Sequence, residues 1–295
     1  MNKINQTNKH INTSIHDDSI YPDKINNLFN NVKIQYWLAL WWWSALWLSH
    51  IWIIKFLEEN YIIINEVSGT SMWAIIASFY AVWKSSDDML EFAKSINFLK
   101  LIDFDFRNWL IKWDKIYKKL EEVFWDTKIE DLNIKLKIVA TNIETGEKTV
   151  FEKWKIIDAI RASISLPGIF KPQKIWTNTY IDWWIICNLP VEVLDSNNVI
   201  AVSVIKDVKS KLKTKRKILG HNFDVWFLNL NYQVLQRAFL LMMKTNEQIS
   251  INTQWKNVTL VKPDLWKMDF LSFDKLDELV QKWYKQANLD LNKLI

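Results

Sequence analysis

Glycine is nearly missing from this sequence, occurring four times in 295 residues, against an ordinary usage of about 7%. A chain of this length needs glycine at tight turns and helix ends, so the shortage demands an explanation. Cysteine is scarcer still. The lone Cys187 excludes an intramolecular disulfide and fits a reducing cytosol, so a cytoplasmic location is expected. No apolar run reaches the roughly 18 residues that span a bilayer, and the N-terminus has no apolar stretch of the signal-peptide kind. The net charge of +5 permits contact with anionic lipid or nucleic acid without requiring it.

Tryptophan is what the chain has in excess. There are 19, and together with the glycines they make up roughly 8% of the chain, the usual glycine share. Their positions point the same way. Trp41, Trp42 and Trp43 are consecutive, as are Trp183 and Trp184, while Trp83 and Trp154 flank helical patterns where a glycine cap is expected. One reading accounts for both anomalies: most or all of these tryptophans are glycines, written as Trp because UGA codons are decoded as Gly. The alternative is a Trp-rich protein that stacks on bases or sits at a lipid interface.

Residues 1–31 are polar and Asn-rich without sustained periodicity, and read as a disordered tail before a domain covering 32–292. Within that domain, apolar runs at 32–40, 62–69, 134–142, 179–182, 199–205 and 257–263 read as strands. Helical spacing marks 47–59, 72–82, 156–165, 224–248 and 272–292, and a charge-interspersed helical stretch covers 86–122 as a cap or side layer. A hairpin is expected around 144–147, and Leu166-Pro167-Gly168 stops the helix before it. Strands alternating with helices predict an α/β fold, with a mostly parallel central sheet and helices on both faces.

Three elements carry candidate chemistry. The first is Gly69-Thr70-Ser71-Met72-Trp73, between a strand and a helix. A small-x-Ser-x-small turn in that setting is a nucleophile elbow, which lifts the serine hydroxyl clear of the sheet and places the helix N-terminus beneath it. Trp73 breaks the pattern unless it is Gly. Taken alone, the segment also reads as an ordinary helix start capped by Thr70 or Ser71. The second is LALWWWSALWLSHIW (38–52), which with Gly for Trp becomes a strand, a glycine-rich loop and a helix. Such loops expose backbone N–H groups to anions. The absence of a Gly-Lys-Ser/Thr ending excludes a P-loop, and an oxyanion hole suits a nearby nucleophilic serine better than a dinucleotide cradle. The third is Tyr180-Ile181-Asp182-Trp183-Trp184, an aspartate at a strand end before two small residues if the tryptophans are glycines. Of the four histidines, His10 and His16 fall in the tail, His50 within a helix and His221 in a basic loop. None stands in an obvious triad position, so a Ser–Asp pair is the more economical reading. A Ser–Asp–His221 enzyme has the right chain order but lacks a histidine-bearing loop at the C-terminus.

In this order the three elements resemble the patatin-like phospholipase family: a glycine-rich oxyanion loop (41–47), Gly-x-Ser-x-Gly (69–73) and Asp-Gly-Gly (182–184). RASISLPGIFKPQ (161–173), IKLKIVATNIETGEKTVFEKW (134–154) and NLPVEVL (188–194) also read as family sequence, and the likeness covers roughly 32–290. Where the family often has Arg or Lys in the oxyanion loop, this chain has Leu46. The resemblance implies a patatin-like three-layer α/β/α fold with a helical cap segment. It also implies a serine acyl hydrolase acting on fatty-acyl esters of lipids or phospholipids, with Ser71 as nucleophile and Asp182 as base. Backbone N–H groups along Trp41, Trp42, Trp43 and Ser44 would hold the oxyanion. Neither a cofactor nor a metal is implied. A carboxylate of ordinary pKa near 4 is a weak base towards an alcohol, so the site is expected to be shielded from water.

The remaining features are less specific. Seven basic residues lie within 206–217. They read either as a solvated loop or as a landing patch for anionic membrane, worth roughly 1 kcal/mol per charge. Cys187 and His50 read as packing residues, and Arg161 as orienting the Pro–Gly segment. The partner expected is a lipid or ester substrate, not nucleic acid. If the tryptophans are real, the rival is an inactive or Trp-rich protein that binds lipid or nucleic acid.

Overall fold

The computed structural model describes residues 48–95, 103–105, 110–112, 114–167, 170–183, 189–203, 205, 215–218, 221–224, 226–252, 256–262 and 276–291. All lie within the unit Gln35–Ile295. The strand expected at 32–40, the loop 41–47, Trp184 and Cys187 fall outside these residues.

Helix α1 (Leu48–Glu59) leads to strand β1 (Glu66–Thr70), and Ser71 alone separates β1 from α2 (Met72–Ala81). Helix α2 is apolar all round, and it is buried along nearly its whole length, as expected of a core helix. Helix α3 (Ser86–Ser95) starts on a Ser-x-x-Asp box. The Asp88 N–H donates to Ser85 Oγ, and the Ser85 N–H donates to Asp88 Oδ2. The stretch 86–122, read from the sequence as helical, is interrupted. Strands β2 (Asp103–Asp105) and β3 (Leu110–Lys112) pair as an antiparallel ribbon before α4 (Asp114–Phe124). Asp103-Phe104-Asp105-Phe106 alternates polar and apolar residues, and this period of two overrides the helical spacing around it.

Next come β4 (Lys135–Asn142), β5 (Lys148–Phe151), α5 (Ile156–Ser163), β6 (Gln173–Ile175), β7 (Asn178–Asp182) and β8 (Asn198–Val202). They are followed by β9 (Lys215–Ile218), β10 (His221–Asp224), α6 (Trp226–Asn252), β11 (Asn257–Val261) and α7 (Leu276–Leu291). The turn between β4 and β5 is an Asx turn. Asn142 Oδ1 accepts the N–H groups of Glu144 and Thr145, and Gly146 takes φ +72°. Among the described residues no helix is long and apolar enough to cross a membrane.

The α/β class read from the sequence holds, and the sheet is mixed. Strands β1 and β4 are parallel, as are β8 and β11, whereas β4–β5, β4–β7 and β6–β7 are antiparallel. Short hairpins deliver β5 and β7, and a hairpin can only join antiparallel strands. Every residue of β1, and every residue of β4 after Lys135, is buried, so both faces of this part of the sheet are covered. Helices α2 and α5 pack on β1 and β4 and on each other. Elsewhere α1 packs against α3 and α7.

An ion cluster built on a buried pair ties the N-terminal ends of β1 and β4 together. Lys137 Nζ lies 2.9 Å from Glu66 Oε1, with both side chains almost wholly buried, and 2.8 Å from Asp195 Oδ1. The Asp195 N–H also donates to Glu66. Burial works against the Lys137 charge, but hydrogen bonds to Asp195 and Glu66 outweigh it and hold the ammonium above its ordinary range. Removing one member leaves an uncompensated buried charge, so Lys137→Met is expected to cost about 3–5 kcal/mol, read by urea denaturation.

Six described residues other than glycine have positive φ, and four are tryptophans: Trp83 (59°), Trp125 (43°), Trp154 (111°) and Trp176 (54°). Trp83 is the left-handed residue of a helix-ending motif. Its N–H donates to Tyr80 O, and the Lys84 N–H donates to Phe79 O. Tyr61 (φ 55°) ends α1 in the same way. A bulky residue in this region costs about 1–3 kcal/mol, and the Trp125 and Trp176 indoles are largely exposed, so little packing offsets that cost. Replacing either by Gly is expected to raise the thermal unfolding midpoint, by an amount equivalent to about 1 kcal/mol.

Candidate active site

The register of β4 determines what meets at the end of β1. Strand β1 pairs with β4 up to Thr70 opposite Val139. Strand β7 pairs antiparallel with β4 from Tyr180 opposite Asn142 to Asp182 opposite Ala140. Because β5 pairs with residues 138–141 of β4, it occupies one edge, and β1 and β7 must share the other. They therefore arrive end to end over two consecutive β4 residues, Val139 and Ala140. The residue after β1 is Ser71, and the last residue of β7 is Asp182.

These two side chains meet. Ser71 Oγ donates to Asp182 Oδ2 at 2.5 Å, across 111 residues of sequence. Ser71 is 6% exposed and Asp182 1%, the shielding that the sequence reading requires. Ser71 has φ 62° and ψ −139° and makes no side-chain cap to α2, so the reading of this segment as an ordinary capped helix start does not hold. The turn is an elbow, with the Ala74 N–H closing on Ser71 O at 2.9 Å. A Cβ placed on Gly69 would lie 2.6 Å from Ala74 N and Trp73 O. The tightness of the elbow is therefore a contact of backbone with backbone, and Gly69 is fixed by it.

The structure also settles where the indoles next to the site go. The Trp73 side chain is buried against the His50 ring, with ring centres 4.0 Å apart. Trp183 is buried beside Val139 and Val193. The indole N–H groups of Trp73, Trp183 and Trp283 are buried with no acceptor, although a buried indole ordinarily finds one.

Two residues that the sequence reading did not single out hold the pair. The Ser71 N–H donates to Ser163 Oγ at 2.8 Å, and Ser163 Oγ donates to Val139 O at 2.6 Å. The Asp182 N–H donates to Ser165 O at 3.0 Å. Ser163 and Ser165 lie at the end of α5 in RASISLPGIF, and the only available signal was that this segment reads as family sequence. Arg161, read as orienting the Pro–Gly segment, donates from Nη1 to Ser165 Oγ.

Of the residues singled out from the sequence, Gly69, Ser71, Trp73, Asp182 and Trp183 come together at this corner of the sheet. Trp41, Trp42, Trp43, Ser44 and Trp184 lie outside the described residues, as do 206–214 of the basic segment. The end of that segment, read as loop, is strand β9, paired with β10, which begins at His221. An apolar cavity bounded by Ile54, Leu57, Val67, Ala77 and Ile200 touches neither Ser71 nor Asp182. Gly69→Ala forces backbone apart at the elbow and is expected to destabilise the fold by about 1–3 kcal/mol, measured by thermal unfolding.

Comparison with known proteins bears on the same segments. The family model described as Patatin-like phospholipase matches residues 42–195, just over half the chain. An uncharacterized NTE family protein of Mycobacterium tuberculosis is 29% identical over 163 residues, covering 53% of this chain and 45% of that one. Patatin-like phospholipase domain-containing protein 6 of Mus musculus is 28% identical over 189 residues, covering 61% of this chain and 14% of that one. The matches thus span less than half the length of these relatives. Among solved structures, VipD from Legionella pneumophila superposes with a TM-score of 0.55 at 15% identity, covering 89% of this chain and 67% of that one, a likeness of fold. With the family match running through both the elbow and the aspartate strand, the chain belongs to the patatin-like phospholipase family.

Proposed function

We propose that the chain is a lipid acyl hydrolase in which Ser71 is the nucleophile and Asp182 its base, acting on fatty-acyl esters of lipids or phospholipids. The observation that carries this reading is the Ser71–Asp182 hydrogen bond at a strained strand-to-helix turn. Ser71 Oγ attacks the ester carbonyl carbon while Asp182 takes the hydroxyl proton, and the carbonyl electrons pass to its oxygen. The tetrahedral adduct collapses, and the leaving alkoxide recovers the proton from Asp182. Water then attacks the acyl-enzyme with Asp182 again as base, releasing the fatty acid and restoring Ser71. By family resemblance, backbone N–H groups of residues 42–44 hold the oxyanion, and losing one such donor costs about 3–4 kcal/mol.

This chemistry needs room around the elbow, and we propose with it that most of the tryptophans are glycines in the native polypeptide. Support comes from the four tryptophans at positive φ, from Trp83 at a helix-ending position that favours glycine, and from the buried indoles without acceptors. The rival, a Trp-rich binding protein, puts its indoles at the surface for use. Among the described residues the two most exposed indoles, Trp125 and Trp176, are among those whose backbone disfavours a side chain.

A fluorophosphonate probe should label Ser71 in the native protein, and Ser71→Ala and Asp182→Asn should each abolish ester hydrolysis without unfolding the chain. Substantial turnover by either purified variant would refute the dyad. The intact mass of the native protein should fall below 35.3 kDa in equal steps, one for each Trp replaced by Gly. A mass equal to the written sequence would end the decoding proposal.

A further inference from the structure

We infer that Ser163 is a positioning residue for the nucleophile, its hydroxyl completing a backbone ladder that the elbow interrupts. This rests on the Ser71–Asp182 reading above. At the junction on β4, β1 has just ended opposite Val139 and β7 ends opposite Ala140. The chain turns away at Ser71, so the Ser71 N–H and the Val139 carbonyl are left facing a gap in a fully buried part of the sheet. A buried donor and acceptor left unfilled in this way destabilise the fold. Ser163 Oγ occupies the gap, accepting from the Ser71 N–H at 2.8 Å and donating to Val139 O at 2.6 Å. A hydroxyl suits the place because one oxygen both accepts and donates, and alanine or valine at 163 could do neither.

The consequence for the site is directional. Ser71 sits at φ 62°, ψ −139°, a conformation that a residue with a side chain keeps only when its surroundings hold it there. Its N–H is tied through Ser163 to the β4 backbone, and its Oγ is tied to Asp182. Two residues on, Ser165 O accepts the Asp182 N–H, and Ser165 Oγ is itself gripped by Arg161 Nη1 and donates to Arg161 O. The turn at the end of α5 therefore holds both members of the pair by their backbones. Ser163 touches neither an acyl group nor the reacting oxygen, so it acts through the aim of Ser71.

The test compares the full-length unsubstituted chain with Ser163→Ala, Ser163→Thr and Ser163→Val. The readouts are kcat and KM on a p-nitrophenyl acyl ester, the rate of fluorophosphonate labelling of Ser71, and the unfolding midpoint. Ser163→Ala is expected to lower kcat and the labelling rate by about 100-fold, as for a misplaced reacting group, with KM unchanged. Thr and Val have the same shape and differ in the hydroxyl, so their ratio isolates the relay even if the alanine variant fails to fold. Ser163→Thr should recover most of the labelling rate, and Ser163→Val should not. Folded Ala or Val variants with unsubstituted kcat and labelling rate would overturn the inference, as would Thr and Val variants of equal activity. Failure of the underlying dyad appears elsewhere, as absent labelling and hydrolysis in the unsubstituted chain.

Discussion

Strand β4 has one free edge and two strands to place on it. Strand β1 takes the lower part in parallel, and β7 takes the upper part antiparallel, so their C-terminal ends face each other across the Val139–Ala140 step. Everything at the site follows from that shared edge. It brings Ser71 and Asp182 within a hydrogen bond, it leaves one N–H and one carbonyl that a ladder would have paired, and it makes room for the end of α5 to supply both missing partners. The elbow is possible because Gly69 has no Cβ where Trp73 O and Ala74 N press against it. A pair of residues 111 positions apart is thus aligned by backbone geometry before any side-chain preference enters.

The two ends of this strand pair carry different chemistry. At the N-terminal end, the buried Glu66–Lys137 pair, with the exposed Asp195 carboxylate also on Lys137, is tied to backbone groups. Such clusters specify register, because a slip would bury unpaired charges. Holding Glu66 beside Lys137 fixes the parallel pairing of β1 with β4, and that pairing sets Thr70 opposite Val139. At the C-terminal end a serine hydroxyl, a carboxylate and the α5 turn are hydrogen-bonded together. A carboxylate shielded to this degree interacts more strongly with Ser71 Oγ than it would in water. The acyl chemistry proposed for the chain is assigned to this corner.

The tryptophans divide by the job their backbones do. Trp83 and Trp176 occupy a helix-ending position and a hairpin turn, both of which take left-handed backbone. Trp73 and Trp183 have their side chains buried beside the site. Tyr61 shows that the fold carries an aromatic residue at one left-handed position, so no single residue decides the matter. What weighs is the concentration of one residue type at conformations glycine favours, in a chain with four glycines.

The alternation of apolar strands and helices, and the tight turn at Ser71, were legible in the sequence because each rests on neighbours a few residues apart. The aspartate at the end of its strand was legible too, and the resemblance joined it to Ser71. The period-two ribbon inside 86–122 was present in Asp103-Phe104-Asp105-Phe106 but was hidden by longer helical spacing on either side. The antiparallel entry of β7 and the roles of Ser163 and Ser165 were not legible. Serines at the end of a helix look alike whether they face solvent or fill a gap in a distant sheet, and strand direction depends on which edge is still vacant. By itself, the sequence determined the order of the main helices and central strands and the residue types at the turn. The tertiary structure alone decided that β1 and β7 share one edge of β4, because pairing between distant strands is set by register and burial that no local pattern encodes.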